Sequence, residues 1–269
     1  MMIRVIVSGC LGKMGSRVVA RMKGREDMEI VAGVEAPGCQ ALGQDVGEAL
    51  GLGWMGGKIS TDLAHVIPLC DVLVDFTTPA AALEHLRIAS RHKKGAVVGT
   101  TGFSEDEKRE AWMLSTNMAM VVAPNMSVGV NLLFRLVEEA AKVLGGDYDL
   151  DILETHHRGK QDAPSGTAKR LAEILCLARG WKAEEAVTSG RSGLSEGRKK
   201  EEIAVFSLRA GDVIGEHTVL FGGDGERLEL THRATNRDTF ARGAVEAIKF
   251  VAAAKPGSYD MMDVLGLKR

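Results

Sequence analysis

This 269-residue sequence predicts an α/β fold: a doubly wound parallel sheet followed by a second, α+β domain with a mixed, mostly antiparallel sheet. Three observations carry that expectation. Short β-branched runs alternate with helical stretches from residue 3 to residue 122. A glycine-punctuated turn joins the first run to its helix. Past a long amphipathic helix the pattern changes to consecutive strand-like runs joined by short turns.

Residues 3–8, Ile-Arg-Val-Ile-Val-Ser, are nearly all apolar, as expected of a central strand covered on both faces. They open into Gly9-Cys10-Leu11-Gly12-Lys13-Met14-Gly15 and a helix over 16–23. Glycines in such a turn let the backbone bend sharply and approach a pyrophosphate, whose charge a helix N-terminus stabilises. A second strand over 29–34 ends at Glu35, at about the 20-residue spacing of the acid that hydrogen-bonds an adenosine ribose. The expectation is a Rossmann-like dinucleotide site built on Gly9–Gly15 and Glu35. A carboxylate at 35 accepts from the free ribose hydroxyls of NADH and repels the extra phosphate of NADPH, while Ala36-Pro37-Gly38-Cys39 supply no base. NADH is therefore the expected preference, with NADPH a second cofactor it could use.

Residues 36–58 are glycine-rich and predict a long excursion with little regular structure. Alternation then resumes with a strand over 71–76, a helix over 80–92 begun by Pro79, a strand over 96–99, a helix capped by Ser104 and running to 114, and a strand over 119–122. In an open parallel sheet the ligand lies beyond the carboxyl ends of the strands. There Thr77-Thr78-Pro79, Gly99-Thr100-Thr101-Gly102-Phe103 and Ala123-Pro124-Asn125-Met126-Ser127 offer small residues, hydroxyls and backbone groups to ribose and nicotinamide.

A helix over 128–144, with Leu132, Leu133, Leu136, Val137 and Ala140 at helical spacing, leads away from the sheet. The run 149–154 alternates polar with apolar and reads as a strand with one buried face. It delivers His156-His157-Arg158-Gly159-Lys160-Gln161-Asp162-Ala163-Pro164-Ser165-Gly166-Thr167-Ala168, which crowds proton donors, cations and a helix N-terminus into one loop. Such a loop suits holding an anion and moving a proton; Ser165, Gly166 and Thr167 supply hydroxyls and N–H groups where a helix over 168–178 begins. His156 and His157, adjacent at a strand end, point in opposite directions, so no metal site is expected.

A basic, glycine-rich stretch over 189–200 reads as a solvated, mobile loop, and runs over 203–208, 213–221 and 227–232 as strands. Asn236 and Asp238 start a helix over 239–253 that returns to the first domain. The expected division is 1–126, completed by 236–269, for the dinucleotide, and 127–235 for substrate binding and oligomerisation.

Composition excludes several classes. A formal charge of −2 argues against nucleic acid and anionic membranes. No window approaches the ~18 apolar residues of a spanning helix. Four scattered cysteines with no C-x-x-C suit free thiols in a reducing cytoplasm, with no disulfide.

With these residues in view, the chain resembles the dihydrodipicolinate reductase family, also called 4-hydroxy-tetrahydrodipicolinate reductases, of bacterial lysine and diaminopimelate biosynthesis. The resemblance runs from Gly9-x-x-Gly12-x-x-Gly15 through Asp75-Phe76-Thr77, Gly99-Thr100-Thr101-Gly102-Phe103 and Asn125-Met126-Ser127-Val128-Gly129 to Glu154-x-His156-His157-x-x-Lys160-x-Asp162-x-Pro164-Ser165-Gly166-Thr167-Ala168. It implies hydride transfer from NADH or NADPH to a cyclic dicarboxylate, with loss of water from the hydroxylated substrate, in a cytoplasmic homotetramer joined through the second-domain sheets. It implies that His156 is the general acid/base and Lys160 the proton donor, that His157, Gly166 and Thr167 bind substrate carboxylate, and that the glycine turn, Glu35, Gly99-Thr100-Thr101 and Ala123-Pro124-Asn125-Met126 contact the cofactor. Relatives favouring the phosphorylated cofactor often carry Arg after the acid, where this chain has Ala36. Another NAD-dependent dehydrogenase of a small carboxylate explains the second domain less well, and a non-enzymatic redox sensor leaves His156 and Lys160 without a role.

Overall fold

The computed structural model describes residues 2–194 and 197–268. Met1 and Arg269, inside the expected domain bounds, and Ser195 and Glu196 of the basic stretch lie outside the described residues. The chain forms two compact units, Met1–Val128 with Arg237–Arg269, and Gly129–Asn236.

In chain order the first unit contains β1 (Ile3–Ser8), α1 (Gly15–Met22), β2 (Met28–Val34), α2 (Val46–Ala49), β3 (Lys58–Ser60), α3 (Leu63–Val66), β4 (Val72–Asp75), α4 (Pro79–Arg91), β5 (Gly95–Val98), α5 (Glu105–Leu114) and β6 (Ala119–Val122). Then α6 (Val128–Leu144) leads into the second unit: β7 (Asp149–His156), α7 (Gly166–Arg179), α8 (Ala183–Ala186), β8 (Val187–Thr188), β9 (Ile203–Arg209), β10 (Gly215–Gly223) and β11 (Glu226–Ala234). The first unit closes with α9 (Asp238–Ala253), β12 (Gly257–Tyr259) and α10 (Met261–Val264).

The first sheet runs β12-β6-β5-β4-β1-β2-β3 with every pair parallel. Its central strands are apolar throughout because both faces are covered. In β1, Val5 and Val7 join one core with Val18 and Val19 of α1 and Ala244 and Ile248 of α9, whereas Ile6 joins the opposite core with Leu83 and Leu86 of α4. Each such valine, leucine or isoleucine side chain, withdrawn from water, contributes roughly 1.5–3 kcal/mol. Ser104 caps α5 through a capping box with Glu107.

The excursion over 36–58 is more ordered than expected. Asp45, 7% exposed, accepts hydrogen bonds from the N–H groups of Gly47, Glu48, Met55 and Gly56, so one carboxylate ties both ends of a glycine loop. That loop carries α2 and delivers β3 to the sheet edge. Neither β3 nor β12 is long enough, at three residues, to show a strand period in the sequence.

The second sheet runs β11-β10-β7-β9-β8; β10 pairs antiparallel with β7 and β11, and β9 parallel with β7 and β8. Gly223 opposes Glu226, leaving Asp224-Gly225 as a two-residue hairpin loop whose Gly225 has φ +81°. One face packs under α6 and α7: Leu150 and Ile152 of β7 meet Leu133, Val137, Leu171 and Leu175. The described residues of the basic stretch are pinned where a mobile loop was expected. Arg191 pairs with Asp151 and Glu202, and Arg198 with Asp149 and Asp151.

Candidate active site

Strand alternation sets the chemistry of the second unit. Leu150, Ile152, Glu154 and His156 share the buried face of β7, so a carboxylate and an imidazole continue the row begun by two aliphatic side chains. Glu154 is fully buried, and His156 Nδ1 lies 2.5 Å from its Oε2. Arg209, at the end of β9, donates to Oε2 at 3.0 Å and Oε1 at 2.9 Å, and the Ser165 N–H donates to Oε1 at 3.1 Å. Burial alone would raise the Glu154 pKa, but hydrogen bonds from Arg209, Ser207, His156 and Ser165 outweigh it and hold the carboxyl down at about 2. His156 is lowered as well, which favours its neutral form. Burial lowers its pKa below the ordinary imidazole value, the neighbouring charges of Lys160 and Arg209 add to this, and Glu154 opposes it.

The loop after β7 turns back through Lys160, whose Nζ donates to both oxygens of Asp162 at 2.7 and 2.9 Å. Ser165 then caps α7, its Oγ accepting from the Ala168 N–H at 3.2 Å and lying 3.0 Å from His217 Nε2 of β10. His217 is buried, stacked edge-on to His156 at 5.2 Å, and burial with the nearby His156 pushes its pKa down to about 3. Gly166 has open space where a side chain would stand. Buried histidines that stay neutral, one exposed-edge lysine and an uncovered helix start are what binding an anion and moving a proton require. Glu154, His156 and His217 each bring a ligand-type atom within 4.8 Å of the others, but the Arg209 guanidinium on the same carboxylate opposes a metal cation there.

In the first unit, the turn from β1 into α1 is closed by its own glycines. The Gly12 N–H donates to the Gly9 carbonyl at 3.0 Å, and a Cβ on Gly15 would lie 2.0 Å from that oxygen. Gly9 has φ +72°, and a Cβ there would lie 2.6 Å from the Phe76 carbonyl oxygen. Glu35 stands beside the turn, accepting from the Leu11 N–H at 2.6 Å. Gly12 and Lys13 are exposed. The turn thus presents backbone, an acid and a helix start together, a fit to a dinucleotide.

Two comparisons decide the family. Residues 3–126 match the model of the dihydrodipicolinate reductase N-terminus and residues 129–265 that of its C-terminus. The chain belongs to the dihydrodipicolinate reductase family. The 4-hydroxy-tetrahydrodipicolinate reductases of Syntrophus aciditrophicus and Citrifermentans bemidjiense are 48% and 46% identical over 267 residues, covering 99% of this chain and 100% of each relative. A solved dipicolinate-bound dihydrodipicolinate reductase from Paenisporosarcina sp. TG-14 superposes with a TM-score of 0.78 at 28% identity, covering 98% of this chain and 99% of that one. An amine dehydrogenase from Mycobacterium smegmatis, at 19% identity and a TM-score of 0.61 over 96% of this chain and 94% of its own, shares the fold. As a dihydrodipicolinate reductase the chain is a pyridine-nucleotide-dependent oxidoreductase of lysine and diaminopimelate biosynthesis.

Within this reductase, several expected cofactor residues act differently from the sequence expectation. The Thr77 and Thr100 hydroxyls both donate to Asp75 Oδ1 at 2.8 Å, so they turn inward instead of offering themselves to ribose. Gly99 is a packing position: a Cβ there would lie 2.0 Å from the Phe76 ring. Cys10, Ala123 and Met126 are buried, which leaves only their backbones for a ligand. Asn125 Oδ1 accepts from the Ser127 N–H at 2.9 Å, while Pro124 and Thr101 are exposed.

Asp75, His85, Glu154, Arg209 and His217 had no role assigned from the sequence. Fully buried Asp75 also has His85 Nδ1 at 2.6 Å from its Oδ2, so one carboxylate ties the ends of β4 and β5 to α4. For Glu154 a signal existed: the phase set by Leu150 and Ile152 turns it inward and leaves Leu153 39% exposed.

Proposed function

We propose that the chain reduces 4-hydroxy-tetrahydrodipicolinate to tetrahydrodipicolinate: substrate, NADH and a proton give product, NAD and water. The observation that carries this reading is the cluster of His156, Lys160 and the open start of α7 in one loop, in a chain nearly half identical to reductases bearing that name. When bound, the reduced nicotinamide supplies hydride; the chain's residues supply the protons and hold the charges. His157, Ser165, Gly166 and Thr167 hold a substrate carboxylate at the exposed start of α7, where the helix dipole favours an anion. Lys160 delivers the proton that completes the reduction, and its ammonium offsets the negative charge that hydride adds to the ring. His156, kept neutral by burial, takes the ring C–H proton lost on dehydration and passes it to the departing hydroxyl, so the net uptake is the one proton from Lys160.

Gly9, Cys10, Leu11, Gly12, Lys13, Met14 and Gly15 cradle the pyrophosphate through their backbone. Glu35, Thr77, Gly99, Thr100, Thr101, Ala123, Pro124, Asn125 and Met126 line the rest of the nucleotide site, several of them through backbone atoms or by shaping the loops. Glu35 favours NADH, since its carboxylate is fixed beside the turn by the Leu11 N–H. The four unpaired cysteines support a cytoplasmic setting, and no helix among the described residues is long and apolar enough to cross a membrane. A homotetramer joined through the second sheet is supported by Leu153 and Leu208, 39% and 48% exposed on adjacent strands.

The test is to supply freshly made 4-hydroxy-tetrahydrodipicolinate and follow loss of reduced-nucleotide absorbance with NADH and then NADPH. Substrate-dependent oxidation, with a lower KM for NADH, is expected. No oxidation with either nucleotide overturns the reaction, and a lower KM for NADPH overturns the preference.

A further inference from the structure

The geometry points to Glu154 and Arg209 as positioning residues for His156: the clamped carboxylate takes the proton-bearing Nδ1 edge of the ring and leaves Nε2 as the edge that exchanges protons. This rests on the proposed acid/base role of His156. The acceptor directions of Glu154 are occupied by the fork of Arg209, the Ser165 N–H, His156 Nδ1 and the Ser207 side chain. A carboxylate held by a bidentate guanidinium cannot turn away from its histidine without breaking two charge-assisted bonds. It is also ionised across the working pH range, so the atom opposite Nδ1 is always an acceptor and the ring proton sits on Nδ1.

The opposite edge of the ring is cleared by a glycine. A Cβ on Gly215 would stand 3.0 Å from His156 Nε2. Arg209 has a second contact, because its Nη2 also donates to the Asp162 carbonyl at 2.6 Å. One guanidinium therefore fixes the ring and the loop carrying Lys160 and its partner Asp162. Glu154 in turn reaches the Ser165 N–H, tying the same array to the cap of α7. The charged and titratable groups around His156 are Glu154 on its own strand, Lys160 and Arg209 from the loop and β9, and His217 from β10. Only Glu154 favours the protonated ring, so its neutralisation lowers the His156 pKa further.

Two variants and two readouts test this. Glu154→Gln removes the charge but leaves half-buried Arg209 without its counterion; Glu154→Gln with Arg209→Gln removes both charges and keeps the fold accessible if the single variant fails. Imidazole nitrogen NMR of the wild type, with His156 assigned by its absence in His156→Asn, is expected to show a protonated Nδ1 and an unprotonated Nε2 at pH 8. This readout does not depend on the reaction, so it separates failure of the positioning inference from failure of the proposed function. In activity, kcat is expected to fall about 100-fold or more and the acid limb of the pH profile to move to lower pH, while NADH affinity stays within about twofold, less than the tenfold that 1.4 kcal/mol represents. An Nε2-protonated ring in the wild type overturns the inference. So does a loss of activity with the acid limb unmoved, which marks a structural role alone, or a variant that retains wild-type turnover.

Discussion

In the proposed mechanism Lys160 is the side chain on which the reduction most depends, and its surroundings suit a proton donor, since it is about a fifth exposed and Asp162 holds its ammonium at 2.7 Å. Lys160→Ala should lower turnover by about 100- to 10,000-fold, the usual share of a positioned proton donor, and leave NADH affinity, measured by fluorescence titration, nearly unchanged. Unchanged turnover removes Lys160 from the mechanism. Two neighbours predict how stability responds to acid. His217 falls from its ordinary 6.5 to about 3 on folding, and Glu154 from 4.5 to about 2. Both values are depressed in the folded state, so each contribution is complete above the unfolded value and is lost as pH drops toward the folded one. The Tm should therefore decline from pH 6.5 toward pH 3, through His217 first and Glu154 in the lower part of the window. His217→Gln, which can still meet Ser165 Oγ, should flatten the upper part of that decline; an identical pH dependence in variant and wild type assigns the loss to other groups.

Among the elements, the turn from β1 into α1 separates two uses of glycine. At Gly15 a Cβ would meet the Gly9 carbonyl at 2.0 Å, whereas at Gly12 the same atom lies 3.1 Å away. Gly15→Ala should cost about 1–3 kcal/mol of stability, as overpacking does, seen as a lowered Tm. Gly12→Ala should nearly hold the Tm and weaken NADH binding, because Gly12 is the exposed glycine of the turn proposed to cradle the pyrophosphate. Equal effects of the two substitutions on Tm contradict this division. The helices and longer strands were legible because their periods repeat: β1, α4, α5, β6 and α6 lie within a residue or two of expectation. The edge strands β3 and β12 were not, since three residues cannot display a period and pairing alone makes them strands. The candidate site loop could be read from its crowded histidines, lysine and cap. Its supporting shell could not, because Arg209 and His217 arrive from strands 53 and 61 residues beyond His156 and look there like ordinary residues on a sheet.

For the molecule as a whole, the proposed cofactor choice rests on Glu35 and Ala36 of the first unit. Ala36→Arg should lower the KM for NADPH relative to that for NADH by placing a guanidinium where the extra phosphate would sit; an unchanged ratio means that Glu35 and Ala36 do not set the preference. The two-unit division was foreshadowed in the sequence by the change from alternating to consecutive strands, and the return of the chain by the Asn236 and Asp238 start of α9. The closeness of that return was hidden, because Gly243 looks like any helical glycine until its missing Cβ is found to clear the Met126 carbonyl. The proposed chemistry turns on hydride passing from nicotinamide C4 to the substrate ring. Its sharpest check supplies NADH deuterated at C4, each diastereomer in turn, with 4-hydroxy-tetrahydrodipicolinate, and follows the product by mass spectrometry. Tetrahydrodipicolinate carrying one deuterium from one or the other diastereomer is the expected product; unlabelled product from both, or no product, contradicts hydride transfer to the ring.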